Sequence, residues 1–159
     1  MKDFLKAATS LRAGGATTST GRLETAAQAA LRVVLGGVLL THGLPKLLRL
    51  PHGTMGDPFV AATHLIAATV GPALATPLAW AVTLLETAGA AMLAGGLFTR
   101  LVAAAFVAEM VGIAFALGPA WAWIDRGIEY PVVLGALAAW FGVRGGGGWS
   151  VDALLARRR

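Results

Sequence analysis

The chain has 159 residues, 57% of them hydrophobic and 13% charged, with a mean hydropathy of +0.71. A soluble domain carries about 25% charged residues, so this composition excludes a water-covered globule and leaves lipid as the solvent for most of the surface. The net charge of +5 sits mainly at the ends of apolar runs, without aromatic interleaving, which is the pattern that orients membrane proteins and not one that binds nucleic acid.

Residues 1–23 read as a cytoplasmic tail. Lys2, Lys6, Arg12 and Arg22 with Phe4, Leu5 and Leu11 between them predict a weak interfacial helix, and Ala13–Gly21 a flexible linker; the apolar core of a secretory signal is missing. Four apolar stretches follow, Glu24–Leu44, Leu78–Leu97, Leu101–Leu117 and Ile128–Val143. Runs of about 17–25 apolar residues cross a hydrocarbon core as helices. Pro45 and Lys46 mark the end of the first span. In the long connection from Pro51 to Pro77, Phe59–Val70 is apolar but too short to cross, which predicts an interfacial helix. Pro77 suits the first turn of the second span. The turn Leu97-Phe98-Thr99-Arg100 makes spans two and three antiparallel neighbours. Gly118 and Pro119 close span three, and Trp121 and Trp123 follow as an interfacial belt. Residues 145–159 form a Gly-rich, basic tail. The expected fold is therefore an all-α membrane four-helix bundle over residues 24–144. Placing both termini in the cytoplasm puts nine Lys and Arg inside, against Lys46, Arg49 and Arg126 outside, the orientation the positive-inside rule favours.

Three ionisable residues lie within these spans: Arg32, Glu86 and Glu109. Each costs on the order of 2.5–3.5 kcal/mol to bury in lipid, so they are expected to face one another. Counted at 1.5 Å per residue from the inner ends of their runs, they lie at depths of roughly 12, 16 and 12 Å, which predicts an arginine between two carboxylates. Gly36 and Gly43 fall near Arg32, Gly89 near Glu86 and Gly112 near Glu109, where small residues allow close helix approach. A second tier, His42, Lys46, Asp125, Arg126, Glu129 and Tyr130, lies where the ends of spans one and four meet, as an outer mouth. Two readings stay open. The interior charges are a proton path or a site for a quinone-sized ligand, or they are a clamp that fixes helix register; the outer tier is a mouth or a set of solvated helix ends.

Cysteine is absent, which excludes disulfide exchange, thiolate metal sites and the paired-cysteine chemistry of one class of four-helix quinone-linked oxidoreductases. His42, His52 and His64 are the only histidines, and no two share a predicted span, so no metal or haem site is expected. Gly145–Gly148 lacks the strand and the Lys-Ser/Thr of a nucleotide-binding loop. No covalent cofactor and no catalytic residue is assigned.

Three segments carry a family resemblance. Leu35-Gly36-Gly37-Val38-Leu39-Leu40-Thr41-His42-Gly43-Leu44-Pro45-Lys46-Leu47 resembles the Gly-x-x-Lys-Leu helix end of the DoxX family of small four-helix bacterial membrane proteins. Leu85-Glu86-Thr87-Ala88-Gly89 through Leu97-Phe98-Thr99-Arg100-Leu101 is similar to its Glu-containing second span and Leu-x-Thr-Arg turn, and Gly148-Trp149-Ser150-Val151-Asp152 to its Gly-x-x-Ser-Leu-Asp signature. Glu109 and Pro45 are departures from that pattern. The resemblance implies a multi-pass protein of the bacterial inner membrane and a subunit or accessory of a quinone-linked redox system, with a redox enzyme or a second copy as partner. A non-catalytic scaffold or small-solute transporter is the alternative, because kinship of fold does not supply chemistry.

Overall fold

The computed structural model describes the backbone of residues 2–158 and the side chains of residues 21–158; the flexible linker expected at Ala13–Gly21 is corrected, because helix α1 runs through it without a break. Helix α1 (Lys2–Leu48) is followed by α2 (Pro58–Val70) and α3 (Pro72–Leu84). A π-helical turn (Leu85–Gly89) then leads into α4 (Ala90–Gly95), so that Pro72–Gly95 runs as one rod. Next come α5 (Thr99–Leu117), a 3-10 turn at Trp123–Asp125, α6 (Glu129–Arg144) and α7 (Val151–Ala156).

Among the described residues, three helices are long and apolar enough to cross a membrane: Gly21–Leu48, Pro72–Gly95 and Thr99–Leu117. They overlap the first three predicted spans, the second starting six residues earlier than expected. The fourth stretch is also helical, as α6, but its 16 residues reach only about 24 Å, short of a hydrocarbon core of about 30 Å. The short helix expected at Phe59–Val70 is α2. Asp57 caps it, accepting from the Phe59 and Val60 N–H groups at 2.9 and 3.1 Å, and Pro58 occupies the first turn, where a missing N–H costs nothing. The start of the second span needs correction. Pro72 takes the first-turn position assigned to Pro77, and Pro77 lies inside α3, giving up one helical hydrogen bond.

Two interfaces organise the core. Helix α5 packs along α6, and α1 packs on the π turn and α4. Leu35, Leu39, Leu93, Phe106, Met110 and Phe141 are among the buried side chains between them. On α1 the contact face reads Arg32, Leu35, Gly36, Leu39, Gly43 and Lys46, a helical stripe. Its glycines set the separation: a Cβ on Gly36 would stand 2.7 Å from the Ala90 carbonyl oxygen, and one on Gly43 would collide with the backbone of Glu86. The expected close approach thus occurs at Gly36 and Gly43. Gly112 faces open space, so the small residue beside Glu109 serves no contact of that kind.

Candidate functional site

The charged residues of the spans separate into two groups. In the first, Lys46 from the last turn of α1 forms an ion pair with Glu86 in the π turn; its side chain is 14% exposed and that of Glu86 is 4% exposed. A π turn inserts one residue into the helical ladder, and such turns recur at functional sites. Here it brings the Glu86 backbone against Gly43, one helical turn from Lys46, so the long lysine stem folds inward where an interfacial lysine would ordinarily reach out to water. From α5, Glu109 directs its carboxyl toward Glu86 and Lys46. Both Glu109 oxygens are buried and, among the described residues, neither meets a donor unless the Glu86–Glu109 carboxyl pair shares a proton. One ammonium faces two carboxyls, and a single proton on the carboxyl pair brings the cluster to neutrality, the state that a low-dielectric setting favours.

The second group contains Arg32, and here the expected arginine–carboxylate cluster is corrected. Arg32 is 3% exposed, yet its guanidinium donates to three carbonyls and to neither Glu86 nor Glu109: Ala94 at 3.1 Å, Trp149 at 2.7 Å, and Gly146. The reason lies in helix registration. With Gly36 against Ala90 and Ala94, Arg32 is level with the end of α4 and not with its middle. Depth counted from Glu24 placed it too far inside, because α1 continues well past the neighbouring turn.

That turn is held by charge at both of its ends. Helix α4 stops in a Schellman arrangement, Gly96 N–H to Leu93 and Leu97 N–H to Met92 at 3.0 and 2.8 Å, with Gly96 at φ +74° as such caps require. Arg32 takes a carbonyl at the negative end of α4. Asp152 takes the first N–H groups of α5, accepting from Phe98 and Thr99 N–H at 2.8 and 2.9 Å and from the Thr99 hydroxyl at 2.7 Å. These donors hold Phe98 at φ +47°, a conformation that costs a bulky residue energy. Ser150 caps α7, and Gln28 on α1 donates to the Gly145 carbonyl at 2.9 Å. The segment from Gly145 to Asp152 is therefore clasped to α1 and to the α4–α5 turn. Thr99 and Asp152 come from two of the segments that carried the family resemblance, separated by fifty-odd residues in the chain and bonded in space.

The Asp152 clasp carries a pH signature. Burial alone would raise its pKa, but the Thr99 and Phe98 donors and the Arg32 charge hold it below the ordinary value of 3.8. A carboxylate with a depressed folded value contributes stability that is complete above its unfolded pKa and is lost as pH falls through the folded one. The C-terminal segment should thus stay docked at pH 5, begin to loosen as pH falls below the ordinary 3.8, and release once pH has passed the lower folded value. Limited proteolysis across that interval is the check; equal protection of the segment at pH 5 and well below 3.8 would contradict the assignment.

At the other end of the bundle, His42 meets His52 edge-on, ring centroids 5.3 Å apart, and lies 6.3 Å from the Tyr130 ring. His42 and Tyr130 of the expected outer mouth are thus brought together, one helical turn from Lys46, and His52 joins them from the connecting loop. Glu129 turns away and accepts from the Trp123 N–H at 3.2 Å; Asp125 and Arg126 are exposed. Arg49 stacks over Phe59 at 3.9 Å and pairs with Asp57 at 3.2 Å. Among the described residues no three His, Asp or Glu side chains gather as metal ligands.

Sequence reasoning missed the inward turn of Lys46 and the participation of His52. The spacing held a signal for the first: Arg32, Leu35, Leu39, Gly43 and Lys46 share one face of α1, and fourteen residues separate its two cations, close to four helical turns.

Apolar helices packed around buried, paired charge define a small integral membrane protein with several helices. The family follows from residues 27–119, which match the DoxX pattern, and the chain belongs to the DoxX family. That stretch contains Arg32, Lys46, Glu86 and Glu109, and ends before α6 and the docked C-terminal segment. No curated protein and no solved structure matches the chain.

Proposed function

We propose that this DoxX-family protein is a subunit or accessory of a quinone-linked redox system in a bacterial inner membrane, and that Lys46, Glu86 and Glu109 handle protons beside a quinone-sized ligand. The observation that carries this reading is Glu109, a buried carboxyl beside the Lys46–Glu86 ion pair in the π turn: a proton shared with Glu86 serves one of its oxygens and leaves the other without a partner. A buried polar group without a partner costs about 1–3 kcal/mol, a cost retained most readily where a ligand completes the bonding. The residues present suit a quinone: its carbonyl oxygens accept hydrogen bonds, and a lysine ammonium and a protonated carboxyl donate them. A bound quinone would supply two-electron, two-proton chemistry, while the side chains here would bind it and hold or pass protons. In a chain without cysteine, we assign electron delivery to a partner enzyme.

The scaffold reading draws support from Arg32, a buried charge whose hydrogen bonds all go to backbone carbonyls. The two readings diverge on Glu109→Gln. A short-chain ubiquinone analogue should raise the thermal midpoint of the purified protein, and Glu109→Gln should abolish that rise while the ligand-free protein still folds. An unchanged midpoint with any quinone, together with full cellular function of Glu86→Gln, would leave the scaffold as the answer.

A further inference from the structure

At the clasped end of the molecule, a shallow basin opens between the start of α5 and the end of α6, lined by Arg100, Arg144 and the Gly145–Gly148 loop. Arg100 and Arg144 are both exposed residues, and neither side chain forms an ion pair or a hydrogen bond among the described residues. The Arg144 guanidinium lies 5.8 Å from the Trp140 ring. Arg100 lies against the loop, its Nε 3.4 Å from where a Cβ on Gly145 would stand. Gly145 and Gly147 adopt φ +76°, a conformation open to glycine at little cost. Gly145 donates to the end of α6, whereas the N–H groups of Gly146, Gly147 and Gly148 bond to no backbone carbonyl among the described residues. Asp152, the one acid on the lining, has its oxygens engaged by the Phe98 and Thr99 donors. The exposed Trp149 borders the same loop, the kind of residue that settles at headgroup level.

Two arginines without an acidic partner, side by side at the end of apolar helices, are complementary to an anion with several acceptor oxygens. We propose that this basin binds a phosphate ester, supplied by the headgroup of an anionic phospholipid. The loop is not a nucleotide-binding loop, since it has neither the strand nor the Lys-Ser/Thr; the charge comes from Arg100 and Arg144, and the loop contributes shape. Basic clefts at helix ends hold lipid headgroups in this way, and each Arg near the surface contributes about fivefold in affinity.

The test uses the full-length protein in a neutral detergent, with phosphatidylglycerol, phosphatidylcholine, inorganic phosphate and sn-glycerol 3-phosphate as separate ligands, read by native mass spectrometry and thermal unfolding. Phosphatidylglycerol should bind in preference to phosphatidylcholine, with apparent affinity about fivefold weaker in Arg100→Gln or Arg144→Gln and about 30-fold weaker in the double variant. Charge-retaining Arg144→Lys should keep most of the binding, which separates loss of a ligand contact from loss of fold. Arginine-dependent binding of the two soluble phosphates without any for the lipid would uphold the anion site and move its source from membrane to solution. Equal phosphatidylglycerol affinity in wild type and double variant, with no arginine-dependent binding of any phosphate, would overturn the proposal.

Discussion

Lys46→Met is expected to destabilise the protein by about 3–5 kcal/mol, the cost of breaking a buried ion pair by removing one partner. The substitution keeps the stem and removes the ammonium, so packing along α1 changes little and the loss reports the charge. Two carboxyls then share a buried space with no cation. Glu86→Gln in the same chain should restore much of the stability, because the amide removes one of the two acids and still donates a hydrogen bond. Stability measured by denaturant or thermal unfolding in detergent for the wild type, both single variants and the double variant gives the coupling directly. Additive losses would mean that the pair contributes nothing as a pair.

Arg32→Leu should cost about 3 kcal/mol, for a different reason. Hydrogen bonds to a charged group are worth about 1.5–3 kcal/mol, and the leucine leaves the Ala94, Gly146 and Trp149 carbonyls without their donor; water reaching the open end of the bundle recovers part of the loss. The C-terminal segment should become accessible to protease from Gly145 onward. Neither Glu86→Gln nor Glu109→Gln should rescue the variant, since Arg32 contacts neither acid. The arginine–carboxylate cluster expected from sequence makes the opposite prediction, namely rescue by both, so one set of double-mutant cycles decides between the two arrangements.

The difference between those arrangements shows what the sequence carried. Apolar run length located the helices at Gly21–Leu48, Pro72–Gly95 and Thr99–Leu117, because the thickness of the hydrocarbon core imposes it. The stripe from Arg32 to Lys46, with Gly36 and Gly43 in it, was also readable, since helical periodicity is local. Relative helix registration was not. It depends on where Gly36 and Gly43 seat against Ala90, Ala94 and Glu86, a fact about two helices together, and a shift of two turns moved Arg32 from the acids to the turn carbonyls. The π turn at Leu85–Gly89 left no trace in composition or period, because a single inserted residue does not disturb an apolar pattern that runs all round the helix. The Thr99–Asp152 bond joined two segments that sequence inspection had picked out separately, without a rule that would have paired them.

Infrared difference spectroscopy on the purified protein, with and without a short-chain ubiquinone analogue, tests the central claim most directly. If Glu109 completes its bonding on a ligand in the π-turn cluster, quinone addition should shift a protonated-carboxyl C=O band, and Glu109→Gln should remove that shift while Asp152→Asn leaves it in place. A quinone-induced spectrum identical in wild type and Glu109→Gln would contradict the account and place the carboxyl outside the site.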